Sequence, residues 1–272
     1  MPEKQLEFRH PHRQNPYLYP HLRSLPFFRS LLRAVEASFY ADIDLPHPIL
    51  DVGSGDGHFA SLSFSNKIDV GIDPWGALMA EAKSYGAYLS LVVADGASMP
   101  FPTGHFASAM SNSVLEHIPQ LDAVLSEIGR VLSSGATFVF CVPNHHWRQG
   151  LAVPPALRKI GLSRLANVYA DWFVRITRHY HMLDPEEWRE RLDRAGFELV
   201  QWWHYFPPQA LAVLEWGHYL GLPSLLTRKL FGRWILAPTK WNLSLTEQLL
   251  QPYAGNEKTA LGTYSFFLAR RR

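Results

Sequence analysis

The sequence predicts a doubly wound α/β domain, a mostly parallel sheet with helices packed on both faces. Three observations predict it. Short apolar, β-rich runs alternate with helical patterns between residues 31 and 142, as parallel strands joined by crossover helices require. The first run ends in LDVGSGDG, with glycines at 53, 55 and 57, where a strand should turn into a helix and the missing β-carbons let backbone approach a ligand. The next two runs end in Asp73 and Asp95, so polar groups gather at the carboxyl edge where open α/β sheets bind ligands.

Taken in order, the prolines at 2, 11, 16, 20 and 26 predict an extended N-terminal arm or cap over residues 1–30. Strands are expected near 49–52, 68–73, 90–94, 106–111 and 137–142, runs apolar enough to be buried on both faces. Helical spacing marks 77–85 and 121–132, the second with Leu121, Val124, Leu125, Ile128 and Leu132 on one face. Ser133, Ser134 and Gly135 then break the helix and turn the chain into the next strand. Asp184 before Pro185 reads as an N-cap with a first-turn proline, opening a helix over 186–195 that stops at Gly196. A strand over 197–203 follows, and 263–269 supplies the last one. Residues 31–206 with 261–272 thus form the core domain, and 207–260 a Trp-rich hydrophobic insertion or lid.

Composition narrows the classes. With 47% hydrophobic and 18% charged residues in 272, the chain has the makings of a large buried core. Lys and Arg exceed Asp and Glu by only two and are scattered until Arg270–Arg272, so nucleic acid is not an expected partner. Cys141 lies inside FVFCV and reads as a buried structural thiol, not a nucleophile. The polar N-terminus carries no apolar leader, and 210–226, the most apolar stretch, is interrupted by Glu215, His218 and Pro223. A cytoplasmic protein is expected, with membrane-surface contact as the alternative use of its apolar second half.

The glycine turn alone fits several nucleotides. A dinucleotide loop wants a small third residue, yet counting from Gly53 puts His58 there. Asp51 and Asp56 would repel a pyrophosphate but favour a ligand carrying ammonium and sulfonium groups. Asp73, at the end of VGIDP, is placed to accept hydrogen bonds from both ribose hydroxyls. Asp95 suits an adenine amino group, or a solvated turn. The fourth run opens into SNSVLEHI at the same edge.

With these segments in place, the chain resembles the class I S-adenosylmethionine-dependent methyltransferases, of the small-molecule type. The resemblance rests on D-x-G-x-G-x-G at Asp51–Gly57, then DGASMPFPTGHFASAMSNSVLEHI and RVLSSGATFVFCVPN, and covers roughly residues 30–143. It implies a Rossmann-like seven-stranded sheet in the order 3-2-1-4-5-7-6 with strand 7 antiparallel. It also implies that Asp51, Gly53 and Gly55 contact the methionine part of the cofactor, Asp73 the ribose, and Asp95, Gly96 and Ala97 the adenine, with Asn112 near the amino group. HYHMLDPEEWRERLDRAGFELV looks like the family's approach to strand 6, whereas the piece between Pro207 and Leu261 departs from the family's minimal pattern and leaves the acceptor open.

Methyl transfer is an in-line displacement from an excellent leaving group, so the protein mainly aligns the partners and excludes water. Should the acceptor be a hydroxyl, a histidine can take its proton. His117 after strand 4, and His145 and His146 after strand 5, are the candidates, each weighed against a structural histidine; His179 and His181 sit in a segment able to approach from a lid. Glu116 reads as a helix-surface or ion-pair residue. No histidine group has established ligand spacing, so no metal is expected. Eight of the nine tryptophans follow Pro143, and those in 202–241 stand among leucines, Arg228, Lys229 and Arg233. Such a segment makes either an apolar lid or an interfacial surface, and in both cases a small hydrophobic acceptor is expected. Two other functions stay open: a non-catalytic adenosyl-ligand-binding protein, and a nicotinamide-dependent oxidoreductase.

Overall fold

The computed structural model describes residues 14–272. Seven strands form one sheet: β1 (Ile49–Val52), β2 (Ile68–Asp73), β3 (Tyr88–Val93), β4 (Phe106–Asn112), β5 (Leu132–Pro143), β6 (Phe197–Tyr205) and β7 (Tyr264–Arg271). Their order is β3-β2-β1-β4-β5-β7-β6, with β7 antiparallel to both neighbours and the other pairs parallel. The expected topology is therefore the observed one. From β1 the chain winds outward to β3, then returns to add β4 on the other side, so the crevice opens where β1 and β4 end.

Alternation along the central strands supplies two cores. Phe138 and Phe140 of β5 face helices α5 (Leu121–Val131) and α8 (Pro185–Arg194), while Val139 and Cys141 face α2 (Phe27–Tyr40). The predicted Asp184 cap of α8 is present, accepting from Glu186 and Glu187 N–H, and the structure adds a reciprocal bond from the Asp184 N–H to the Glu187 side chain. Short helices α3 (His58–Ser63) and α4 (Gly76–Tyr85) join β1 to β3.

Three expectations are corrected. Residues from Leu18 onward are not an extended arm: α1 (Leu18–Leu22) and α2 pack into the core, with Leu18 and His21 fully buried. Pro20 and Pro26 lie in a first turn and at an N-cap, where a proline removes no helical hydrogen bond; Pro2 and Pro11 lie outside the described residues. Residues 133–135 do not separate helix from strand, because β5 begins at Leu132 and absorbs them as a bulge between the Phe106 and Ser108 pairings. Gly135 takes the left-handed φ of +81° that the bulge needs. β3, finally, is an edge strand with Leu89 and Val93 exposed, so burial on both faces fails there.

Two helical segments stand outside this frame. Helices α6 (Val153–Lys159) and α7 (Ser163–Thr177) follow β5; α9 (Pro208–Leu220), α10 (Leu222–Phe231) and α11 (Lys240–Leu250) lie between β6 and β7. α9 packs on α2 so closely that a β-carbon on Gly217 would stand 2.2 Å from Phe28 Cβ.

Candidate active site

A cavity of about 710 Å³ occupies the crevice. Its floor is the glycine turn, in which the three glycines do different work. A β-carbon on Gly53 would lie 2.4 Å from Val114 Cγ1 and one on Gly57 3.0 Å from Ala82 Cα, whereas one on Gly55 would meet nothing within 4 Å. All three have positive φ. Gly53 and Gly57 therefore let elements pack, and Gly55 keeps open the space a ligand would fill.

The carboxylates around this turn are held by specific donors. Asp73 Oδ2 accepts from Gly55 N–H at 3.1 Å and Oδ1 from Trp75 N–H at 2.9 Å, locking the end of β2 to the turn. Asp51, at the end of β1, is buried and accepts from Tyr88 OH at 2.6 Å; burial pushes its carboxyl up to about 7. Asp95 Oδ1 accepts from Ala97 N–H at 2.9 Å, closing the turn after β3.

The other wall begins where β4 ends. Asn112 Nδ2 and Ser113 Oγ donate to the two oxygens of Glu36 at 2.7 and 2.6 Å, Tyr205 OH donates to it at 3.2 Å, and Arg33 Nη1 at 2.8 Å. Glu36 is fully buried, so this network fixes α2 to the β4 turn while Arg33 remains a wall of the cavity. Sequence reasoning missed both residues. A signal was present: Glu36 follows Leu32 and Val35 on the apolar stripe of α2, where an unpaired carboxylate is costly.

Beyond Ser113 a short 3₁₀ turn, Leu115–His117, brings His117 to the cavity. Its Nδ1 lies 3.0 Å from Arg178 O and its Nε2 3.7 Å from Glu116 Oε1. Burial holds the imidazole below its usual value, so it is neutral near pH 7. Glu116 is not a surface residue as expected: it is 1% exposed, its Oε2 has no partner among the described residues, and burial raises its carboxyl to about 8. Its backbone carbonyl accepts from Tyr180 and His181 N–H, which clamps the segment after α7 over it. His179 stands behind His117, ring centroids 5.5 Å apart.

Of the residues singled out in the sequence, Asp51, Gly53, Gly55, Asp73, Asp95, Gly96, Asn112 and His117 line the cavity. Ala97 is one residue beyond the lining and contributes the N–H that holds Asp95. His145 and His146 are elsewhere: they cluster with His204 of β6, and the His145 and His146 rings lie 3.9 Å apart. Cys141 is buried, with Sγ 3.0 Å from Asn112 Oδ1, as a structural thiol should be. No local spacing announced ligand sets, but the fold assembles two groups whose donor atoms lie within 4.8 Å of one another, Glu116–His117–His179 and His145–His146–His204.

The segment between β6 and β7 contributes Arg228 and Trp234 to the cavity lining. Arg228 of α10 pairs with both oxygens of Glu81 of α4, at 2.8 and 2.9 Å. Trp234 lies against the guanidinium groups of Arg228 and Arg29, 5.7 and 5.9 Å from its ring.

This arrangement can be set beside known proteins. A sequence profile described as a methyltransferase domain matches residues 21–202, from α1 to β6. The chain belongs to the S-adenosylmethionine-dependent methyltransferase family. Ajmaline N-methyltransferase of Rauvolfia serpentina is 30% identical over 155 residues, which is 52% of this chain; the match spans about half, 51%, of that relative's length. Among solved structures, a Thermotoga maritima S-adenosylmethionine-dependent methyltransferase aligns with a TM-score of 0.55 at 15% identity, covering 94% of this chain and 93% of the other. Haemonchus contortus phosphoethanolamine N-methyltransferase 2, in complex with S-adenosylmethionine, aligns at 0.51 and 18%, covering 84% and 49%. The [4+2]-cyclase SpnF aligns at 0.54 and 19%, covering 88% and 80%. At such identities the structures share the fold, and the cyclase shows that the fold alone does not fix the reaction.

Proposed function

We propose that this protein transfers the methyl group of S-adenosylmethionine to a small, hydrophobic acceptor held between His117 and the cap formed by residues 207–260. The observation that carries the reading is the cavity itself: one wall offers carboxylates and an open Gly55, the other a neutral imidazole and the indole of Trp234. The open space at Gly55 and the buried, weakly partnered Asp51 fit a cationic nucleoside.

In this reading Asp73 takes the ribose hydroxyls, Asp51 with Gly53, Gly55 and Asn112 the ammonium end, and Asp95, Gly96 and Ala97 the adenine. Arg33, already oriented by Glu36, takes the carboxylate of the methionine part. The bound cofactor supplies an electrophilic methyl on a sulfonium, so the chain's own task is alignment and exclusion of water. The latch Arg228–Glu81 and the ring of Trp234 exclude water at the mouth. His117 takes a proton from the acceptor at Nε2, because its Nδ1–H is committed to Arg178 O. A nitrogen acceptor is compatible with the same base, and the similarity to an ajmaline N-methyltransferase supports a small-molecule substrate.

Calorimetric titration with S-adenosylhomocysteine, and separately NADH, tests the cofactor reading on wild type and Asp73→Ala. The expected result is binding of the sulfur compound alone, weakened at least about tenfold in the variant, roughly one charge-assisted hydrogen bond. NADH binding, or no binding of either, overturns it. Label transfer from methyl-labelled donor to a panel of apolar phenols, quinols and amines then separates an enzyme from a binding protein, which would hold the nucleoside without turnover.

A further inference from the structure

Helices α7, α10 and α11 share an unusual property: each carries an apolar stripe on its outward face. On α10, Leu222, Leu226 and Leu230 recur at every fourth position, the last 72% exposed, and the helix buries none of its residues. On α11 the stripe is Trp241, Leu245 and Leu249, opposite the buried Leu243 and Leu250. On α7 it is Leu165, Val168, Trp172 and Ile176, opposite the buried Ala166, Ala170 and Phe173. A helix in water normally turns one such stripe inward and a polar face outward.

The stripes of α7 and α10 are joined through α9. Trp172 of α7 stacks on Tyr219 of α9, and Tyr219 meets Trp216, which is half-exposed. Tyr169 of α7 hydrogen-bonds both Glu215 and Tyr219 of α9, at 2.8 and 2.7 Å, and α10 follows α9 directly. The surface is also one-sided in charge. Residues 150–178 contain Arg158, Lys159, Arg164, Arg175 and Arg178 against a single carboxylate, Asp171, which pairs with Arg148. Residues 207–250 contain Lys229, Arg233, Lys240 and Arg228, the last paired with Glu81, against two carboxylates, the fully buried Glu215 and Glu247 of α11.

We infer that the outward faces of α7, α9 and α10 dock this protein on an anionic lipid bilayer. Exposed leucine and tryptophan among an excess of basic residues is the composition of a surface that lies in the headgroup region. A second copy of the chain fits less well, since it would set the same positive charges against one another. Among the described residues no helix is long and apolar enough to cross a membrane, so docking is in plane. Arg228 and Trp234 line the cavity while Leu226 and Leu230, on the same segment, face outward. Resting on the proposed methyl transfer, the face would thus deliver acceptors dissolved in the bilayer to the cavity mouth.

Sedimentation of the full chain with phosphatidylcholine vesicles, with and without phosphatidylglycerol, tests the docking. Binding to the anionic vesicles only, weakened by salt and reduced at least about tenfold in Leu226→Glu/Leu230→Glu and in Trp172→Glu, is expected. Unchanged S-adenosylhomocysteine affinity certifies the variants as folded. Should they fail to fold, quenching of wild-type tryptophan fluorescence by brominated lipid, expected with anionic vesicles, replaces them. Absence of vesicle binding by a chain that binds S-adenosylhomocysteine overturns the docking and leaves the methyltransferase reading standing. Self-association abolished by Leu226→Glu, without vesicle binding, overturns it in favour of a dimer. Vesicle binding without nucleoside binding would instead sink the methyl-transfer reading alone.

Discussion

Two buried carboxyls, Asp51 in the cavity wall and Glu36 behind Arg33, are treated in opposite ways. Glu36 has four donors, one of them the guanidinium of Arg33, and serves as the fixed anion that ties α2 to the end of β4. Asp51 has one neutral donor, the Tyr88 hydroxyl, and burial drives its carboxyl up to about 7. A cationic ligand group beside Asp51 requires the carboxylate, so the affinity for S-adenosylhomocysteine should be fully developed above about pH 7. Below that value each ligand must first expel a proton, and affinity should fall by up to about tenfold per pH unit. Asp51→Asn should bind more weakly and show a flatter profile; titrations from about pH 5.5 to 8.5 compare the two. A profile shared by wild type and variant would remove Asp51 from the ligand. At this scale Asp73 and Asp95 were legible as cavity residues because each stands at or just after a strand end at the carboxyl edge of the sheet. Arg33 and Glu36 were not, because their partners come from β4 and β6, far along the chain. Glu116 was misread for the same reason: only the fold brings 178–181 over it.

At the scale of elements, the strands announced themselves as apolar runs, and the start of α8 was written in Asp184 and Pro185, its N-cap and first-turn proline. What the sequence could not display was which segment covers which. The histidines after β5 follow a strand end, yet the turn carries His145 and His146 toward β6 and away from the cavity, while α10 reaches over to α4 instead. That reach gives a prediction. The Arg228–Glu81 pair is partly exposed, and as an ion pair alone it should stabilise the fold by no more than about 1 kcal/mol. Its larger effect should be on closure, since Arg228 also supports Trp234. Arg228→Ala should therefore leave the melting temperature nearly unchanged but weaken S-adenosylhomocysteine binding several-fold, chiefly through faster release. Stopped-flow dissociation rates check this. An unchanged release rate would mean that α10 covers the cavity without gating it.

For the whole molecule, the question is whether residues 207–260 form a separate lid or part of the core. Three connections favour the core. Gly217 of α9 and Gly221 just after it lie against Phe28 in α2, closer than any side chain would permit. Asn15, just before α1, donates to Gln251 Oε1 and to Ala254 O at 3.1 and 2.8 Å, tying the start of the described chain to the end of the cap. Leu211, Leu214 and Leu243 share one hydrophobic cluster with Val35, Phe39 and Phe266. Unfolding should therefore be a single cooperative event, with the near-ultraviolet signal, to which the cap's tryptophans contribute, and the far-ultraviolet helix signal falling together. S-adenosylhomocysteine at about a hundred times its Kd should add about 2.7 kcal/mol and raise both transitions by roughly 5–10 °C in step. Gly217→Ala, forced against Phe28 Cβ, should lower both. If instead the tryptophan signal melted first and only the later transition moved with ligand, the cap would be an independent unit that the cofactor does not feel. The latch would then have to be read as a contact between domains.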